Sequence, residues 1–230
     1  MNLFQSVGDV RVLCIARCIT DDANIHSMMQ KANSAAPKVG RPVLYDREAV
    51  VSAAMLAFWE KGFSATTLHD LEEATGVDRS TLYNSFDGKK GLFCSAAAAY
   101  VDLAEEQLFE RLYDGTDGIA DIVDFFDRID AMFESDVPTG CLIVNDMGAV
   151  TDPTTTRRYL ERLEGGLRAA LERAATAGQI DSDRCEQRCR ILIAAVIGLN
   201  QLNHSGSDTV VASDLLKGVC AEVKSWAINE

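Results

Sequence analysis

The segment Arg79-Ser80-Thr81-Leu82-Tyr83-Asn84-Ser85 brings together side chains suited to reading nucleic-acid base edges. Arginine can donate two parallel hydrogen bonds to guanine O6 and N7, and asparagine can pair twice with adenine N6 and N7. Leu82 and Phe86 lie four apart and pack inward on one helical face. That leaves Arg79, Ser80, Tyr83 and Asn84, with Thr81 beside them, for a groove. Thr67 and Lys89 each sit at a predicted helix start, where free amides and the positive dipole end favour phosphate. Such backbone contacts set register but carry no sequence information.

The other chemistry-bearing residues do not converge. The three histidines, His26, His69 and His204, belong to no nucleophile or zinc motif, and there is no glycine-rich phosphate loop, so the chain does not read as an enzyme and no cofactor is expected. Seven cysteines, at 14, 18, 94, 141, 185, 189 and 220, are an odd count for a disulfide framework, and the thiols are expected reduced. Cys185 and Cys189, four apart on a helix, read as interface packing in preference to a metal pair. No metal site is assigned.

The elements that must position these residues are helices throughout. From Asp46 onward apolar residues recur at helical spacing and no alternating run reads as a strand, so the fold class is all-α. Asp46 caps a first helix that ends at the glycine of Glu60-Lys61-Gly62-Phe63; Thr67 caps a second, stopped by Gly76; Asp78 caps a third of about two turns. Two short helices joined by a glycine turn make a helix-turn-helix, the second being the recognition helix. Gly88 opens a long helix through Tyr113. Further helices are predicted over 119–133, 141–150, 153–177, 183–204 and 212–227, while residues 1 to about 43 have no sustained period and read as a loose tail.

Length and charge divide the chain further. Its 230 residues carry 22 basic and 35 acidic groups, net -13, and the imbalance is concentrated. Residues 38–93 are nearly neutral; residues 94–230 hold 24 acidic groups against 12 basic. No apolar run approaches the ~18 residues of a membrane span, and the amino-terminal stretch fails as a secretory signal, so a cytoplasmic protein with no membrane partner is expected.

The block from Gly40 to Phe93, GRPVLYDREAVVSAAMLAFWEKGFSATTLHDLEEATGVDRSTLYNSFDGKKGLF, resembles the DNA-binding domain of the tetracycline-repressor (TetR) family of bacterial transcription regulators. The order GRP, F-W-E-K-G-F, T-T-L-x-D-L, A-T-G-V, T-L-Y-x-x-F and K-x-G-L-F carries the likeness over 54 residues. The resemblance implies three parts: an extension over 1–40, a helix-turn-helix domain over 41–93, and a helical ligand-binding and dimerisation domain over 94–230. It implies a homodimer on double-stranded operator DNA, most simply a repressor released from a pseudo-palindromic site by a small-molecule effector. In the family pattern Tyr83 reaches phosphate or a thymine methyl, and Lys38 and Arg41 either enter a minor groove as an arm or stay solvated. Asp78 departs from the usual Ser or Thr cap and places a carboxylate near phosphate.

For the second domain the resemblance implies a cavity. Phe125, Phe126, Ile129, Met132 and Phe133 form a stripe that would line it, with Asn145, Tyr159 and Asn200 as polar groups able to orient a ligand; plain core packing is the alternative for each. Cys141, at a predicted helix start where a thiol's pKa is lowered, opens a second reading, a thiol-based redox or electrophile sensor on the same fold. The last two helices are expected to pair across the two-fold through Leu192, Ala195, Val196, Leu199, Leu202, Leu215, Leu216, Val219, Val223 and Trp226. Because Met28-Met29 shortly precede GRP, residues 1–27 are expected to be either a mis-assigned start or an extension without a part in DNA binding.

Overall fold

The computed structural model describes residues 45–135, 137–147, 153–205 and 209–228. Among them every regular element is helical. Helix α1 (Arg47–Ala65) starts on Asp46, whose carboxylate accepts the Glu48 N–H at 2.9 Å, and buries Met55, Phe58 and Trp59. Its regular part ends where the sequence places it, at Gly62 (φ 75°, ψ 157°), a conformation that only glycine adopts easily; the chain then makes one more turn to Ala65. Helix α2 (Leu68–Thr75) carries a capping box between Thr67 and Asp70, and Gly76 ends it in the left-handed region. Helix α3 (Arg79–Phe86) is capped by Asp78, which accepts the Thr81 N–H at 2.7 Å.

Helix α4 (Gly88–Ala104) serves both parts of the molecule. Its first half packs on α1 and α3, with Phe93 edge-on to Phe58 and Phe63 at 5.0 Å each. Its second half buries Tyr100, Val101 and Ala104 against the carboxy-terminal helices. The expected boundary after residue 93 therefore falls inside one continuous helix. The predicted long helix is also interrupted: a π-helical turn (Glu105–Phe109) precedes α5 (Glu110–Asp114). The extra residue of such a turn rotates α5 about the helix axis relative to α4, and Leu108, Phe109 and Leu112 all become buried.

The carboxy-terminal part comprises α6 (Gly118–Phe133), the short α7 (Leu142–Asn145), α8 (Pro153–Thr176), a 3-10 turn (Ser182–Arg184), α9 (Cys185–His204) and α10 (Thr209–Ser225). Helix α8 is central, packing on α5, α6 and α9, while α10 lies on α6 and α9. Arg173 of α8 locks this arrangement. It donates to the carbonyls of Tyr113 and Leu112 at 2.9 Å, closing the end of α5, and pairs with the buried Asp121 of α6 at 3.0 Å. No described helix is long and apolar enough to cross a membrane.

The faces expected to pair between subunits are largely used within the protomer: Leu192, Val196, Leu199, Leu216 and Val223 are buried in its own core. Two amphipathic helices lying side by side must first cover the core beneath them. What remains outward is a narrower strip of Ile191, Ala194 and Gly198 on α9 and Val211, Leu215 and Gly218 on α10.

Candidate nucleic-acid interface and ligand cavity

Helix α3 presents the faces its sequence implies. Leu82 and Phe86 are buried, Arg79, Ser80, Tyr83 and Asn84 are exposed, and Thr81 is half-buried. Two left-handed residues in succession, Asp87 (φ 60°) and Gly88 (φ 76°), turn the chain from α3 into α4. The helices then meet so closely that a Cβ on Gly91 would fall 1.7 Å from the Phe86 carbonyl oxygen. Only glycine permits this crossing, which fixes the angle at which α3 stands away from the body. Tyr83 lays its ring over Gly88, within 2.9 Å of where a Cβ would be, and remains 54% exposed.

The phosphate candidates are more constrained than the sequence suggests. Thr67 donates both its hydroxyl and its amide to Asp70 at 2.7 Å. Lys61, 2.6 Å from Asp70, holds that carboxyl well below the usual range, with Thr67 adding to the effect. Lys89 is half-buried with its ammonium 4.3 Å above the Phe63 ring, and Lys90 beside it is exposed. Hydrogen bonds from Thr81 and Ser80 hold the Asp78 carboxyl below its ordinary value, so the cap next to the recognition face is a full negative charge. Lys38 and Arg41 lie outside the described residues, as do Cys14 and Cys18.

Seven of the nine expected pocket residues converge. Phe125, Ile129, Met132, Phe133, Cys141, Tyr159 and Asn200 line one cavity of about 20 Å³ together with Tyr100, Leu108, Gly140 and Val196. That volume holds roughly one water. A void of about 10 Å³ adjoins it, bounded by Trp59, Leu103, Ala104 and Gln107 and sharing Tyr100, Leu108 and Met132. The other two residues fall elsewhere. Phe126 is fully buried in the core and meets the cavity only through Phe125, edge-on at 5.1 Å, because adjacent residues on a helix diverge by about 100°. Asn145 turns back to donate to the Thr139 carbonyl at 3.1 Å.

Cys141 does not have the lowered pKa its position at a helix start suggests. The helix α7 has only four residues, and burial pushes the thiol up despite hydrogen bonds from the phenols of Tyr100 and Tyr159 and from backbone amides of α7. Cys185 and Cys189 face α8, their sulfurs 3.8 and 3.7 Å from the Leu171 and Glu164 carbonyl oxygens.

One contact that sequence reasoning missed joins the two regions. Trp59 of α1 donates its indole N–H to the Gly140 carbonyl at 3.2 Å, wholly buried, and stands edge-on to Tyr100 at 5.0 Å. Gly140 and Tyr100 both border the cavity. A helix of the helix-turn-helix unit thus hangs directly on the cavity wall. The residues are 81 apart in sequence, and nothing local announces the pairing.

The sequence profile described as bacterial regulatory proteins, tetR family, matches residues 50–96, from within α1 to the middle of α4. The transcriptional repressor ComR of Escherichia coli K12 is 40% identical over 114 residues, a stretch that is 46% of this chain and 52% of ComR, so the chain spans about half the length of that relative. Residues 50–96 thus match the amino-terminal unit of the TetR family. The transcriptional regulator YezE of Bacillus subtilis is 28% identical over 63% of this chain and 78% of its own length. Among solved structures, a cysteine mutant of the TetR-family regulator CifR, crystallised with 26-base-pair operator DNA, superposes with a TM-score of 0.67 at 23% identity, covering 79% of this chain and 98% of CifR. Escherichia coli NemR in its reduced form gives 0.67 at 18% identity, covering 80% and 97%. At those identities the likeness is one of fold, and it extends the TetR architecture from the matched amino-terminal unit to the helices around the cavity.

Proposed function

We propose that this chain is a homodimeric transcriptional repressor of the TetR family that binds a pseudo-palindromic double-stranded operator through α3 and is released when a small molecule occupies the cavity between α4, α6, α7, α8 and α9. The observation that carries the reading is the exposed polar edge of α3, held off the body by the Gly91 crossing. Arg79 and Asn84 read base edges, Ser80 and Thr81 flank them, and Tyr83 contacts phosphate or a thymine methyl. Lys89 and the start of α2 at Thr67 serve the backbone, with Lys38 and Arg41 as an arm. Lys89→Ala then weakens binding to all sequences alike and lowers the salt slope by about 1 per half-site.

Release works through the contact between Trp59 and Gly140. A cavity with room for one water admits a larger molecule only by moving its walls. Moving Gly140 or Tyr100 shifts α1, and with it the spacing of the two α3 helices across the dimer. The outward strip of α9 and α10 supplies the isologous contact. The buried, protonated Cys141 speaks against the thiol-sensor alternative, because the thiolate is the reactive form.

Selection of binding sequences from a random duplex pool tests the reading. The expected product is two inverted half-sites about one helical turn apart or more. Failure to enrich any sequence, or a monomer at micromolar concentration in sedimentation, would overturn it.

A further inference from the structure

Arg79 is restrained before it meets DNA. Its backbone N–H donates to Glu72 Oε1 at 2.7 Å, and its guanidinium Nη2 lies 3.8 Å from Glu72 Oε2, so one carboxylate on α2 holds both ends of the residue. The cap of α3 is otherwise engaged: Asp78 accepts from the Thr81 amide and from the Ser80 hydroxyl at 2.8 Å. The first amide of α3, which has no partner inside its helix, is therefore satisfied from α2. Arg79 is 59% exposed and Glu72 29%, and an ion pair that open at such a distance adds little to stability. Its effect must be sought in recognition.

The geometry acts in two ways. The carboxylate confines the guanidinium to the front of α3, which reduces the side-chain freedom lost on binding. It also competes for Arg79: the guanidinium leaves Glu72 readily for a paired acceptor such as guanine O6 and N7, and stays with Glu72 at a base offering less. Resting on the DNA-binding reading above, we infer that Glu72 is a positioning residue for base readout, setting discrimination at the base that Arg79 reads.

Glu73 supplies the control. It is the next residue on the same helix, equally charged though more exposed (69% against 29%), and lies 3.5 Å from His69. Full-length wild type, Glu72→Gln, Glu72→Asp and Glu73→Gln are compared by fluorescence anisotropy on the site the wild type selects, on every single-base variant of it and on scrambled DNA, at one salt concentration. The glutamine oxygen can still accept the Arg79 amide, so the turn is kept and the charge removed; aspartate keeps the charge but falls short.

Glu72→Gln and Glu73→Gln should both bind scrambled DNA more tightly, since each removes one negative charge near phosphate. Both Glu72 variants, and not Glu73→Gln, should lose discrimination by about threefold or more at one position per half-site, the position that Arg79→Ala also relaxes. Identical base profiles for the Glu72 and Glu73 variants, or a uniform loss of affinity in the Glu72 variants with the profile intact, would overturn the inference alone. A wild type that selects no sequence overturns the DNA-binding reading and this inference with it.

Discussion

Replacing Trp59 by phenylalanine isolates the bond that ties α1 to the cavity wall. The six-membered ring stays available to meet Tyr100 edge-on, while the indole N–H that reaches Gly140 is lost. Trp59 is 2% exposed and Gly140 is buried, so the Gly140 carbonyl has no water to turn to. An unsatisfied buried acceptor costs about 1–3 kcal/mol. The missing part of the indole removes apolar contact worth roughly another 1 kcal/mol. Trp59→Phe should therefore destabilise by about 2–4 kcal/mol in total, and Trp59→Ala by about 3–5 kcal/mol. Urea unfolding followed by circular dichroism measures both. Trp226→Phe is the matched control: its indole donates to Glu222 at 3.0 Å on the surface, and its loss should stay within about 0.5 kcal/mol. A Trp59→Phe protein no less stable than Trp226→Phe would refute the claim that this bond holds the two regions together.

Gly91→Ala must push α3 off α4, because its Cβ would overlap the Phe86 carbonyl, and the variant should lose operator binding and melt well below wild type in a thermal scan. Asp121→Ala leaves the Arg173 guanidinium without its carboxylate in a site where Asp121 is 3% exposed, and denaturant titration should show a loss of about 3 kcal/mol or more. Burial pushes the thiols of Cys141 and Cys220 up, Cys220 to about 11 with Asp127 adding to the effect. The native state then holds both protons more tightly than the unfolded chain, and the contribution of Cys220 is fully present below pH about 9 and is lost as pH rises through about 11. Urea midpoints should fall over that window, and less steeply in Cys220→Ala.

Local rules made much of the fold legible. Asp46, Thr67 and Asp78 all cap the helices they precede, and the inward pair Leu82 and Phe86 oriented α3 correctly, because caps and faces depend on neighbours within a turn or two. Phe125, Ile129, Met132 and Phe133 share one helical face and all line the cavity, but their spacing alone fits plain core equally, and the expectation of a cavity came from the family resemblance. What stayed hidden depends on distant packing. The π turn at Glu105–Phe109 interrupts a period that reads as continuous helix. Phe126 looks like a member of the stripe, yet its neighbours place it in the core. Cys141 stands at a helix start whose effect on the thiol is outweighed by burial among Tyr100 and Tyr159. The Glu72–Arg79 and Trp59–Gly140 contacts cross between elements, and periodicity carries no record of them.

The central claim is that α3 is the surface that reads DNA sequence. The measurement that bears on it most directly is the affinity of wild type and of Arg79→Ala/Asn84→Ala for the selected site and for scrambled DNA, each as a function of salt. The wild type should prefer the selected site by about a thousandfold or more, and the double variant should lose most of that preference while its binding to scrambled DNA and its salt slope change little. A double variant that discriminates as well as the wild type would contradict the assignment of α3 as the reading helix.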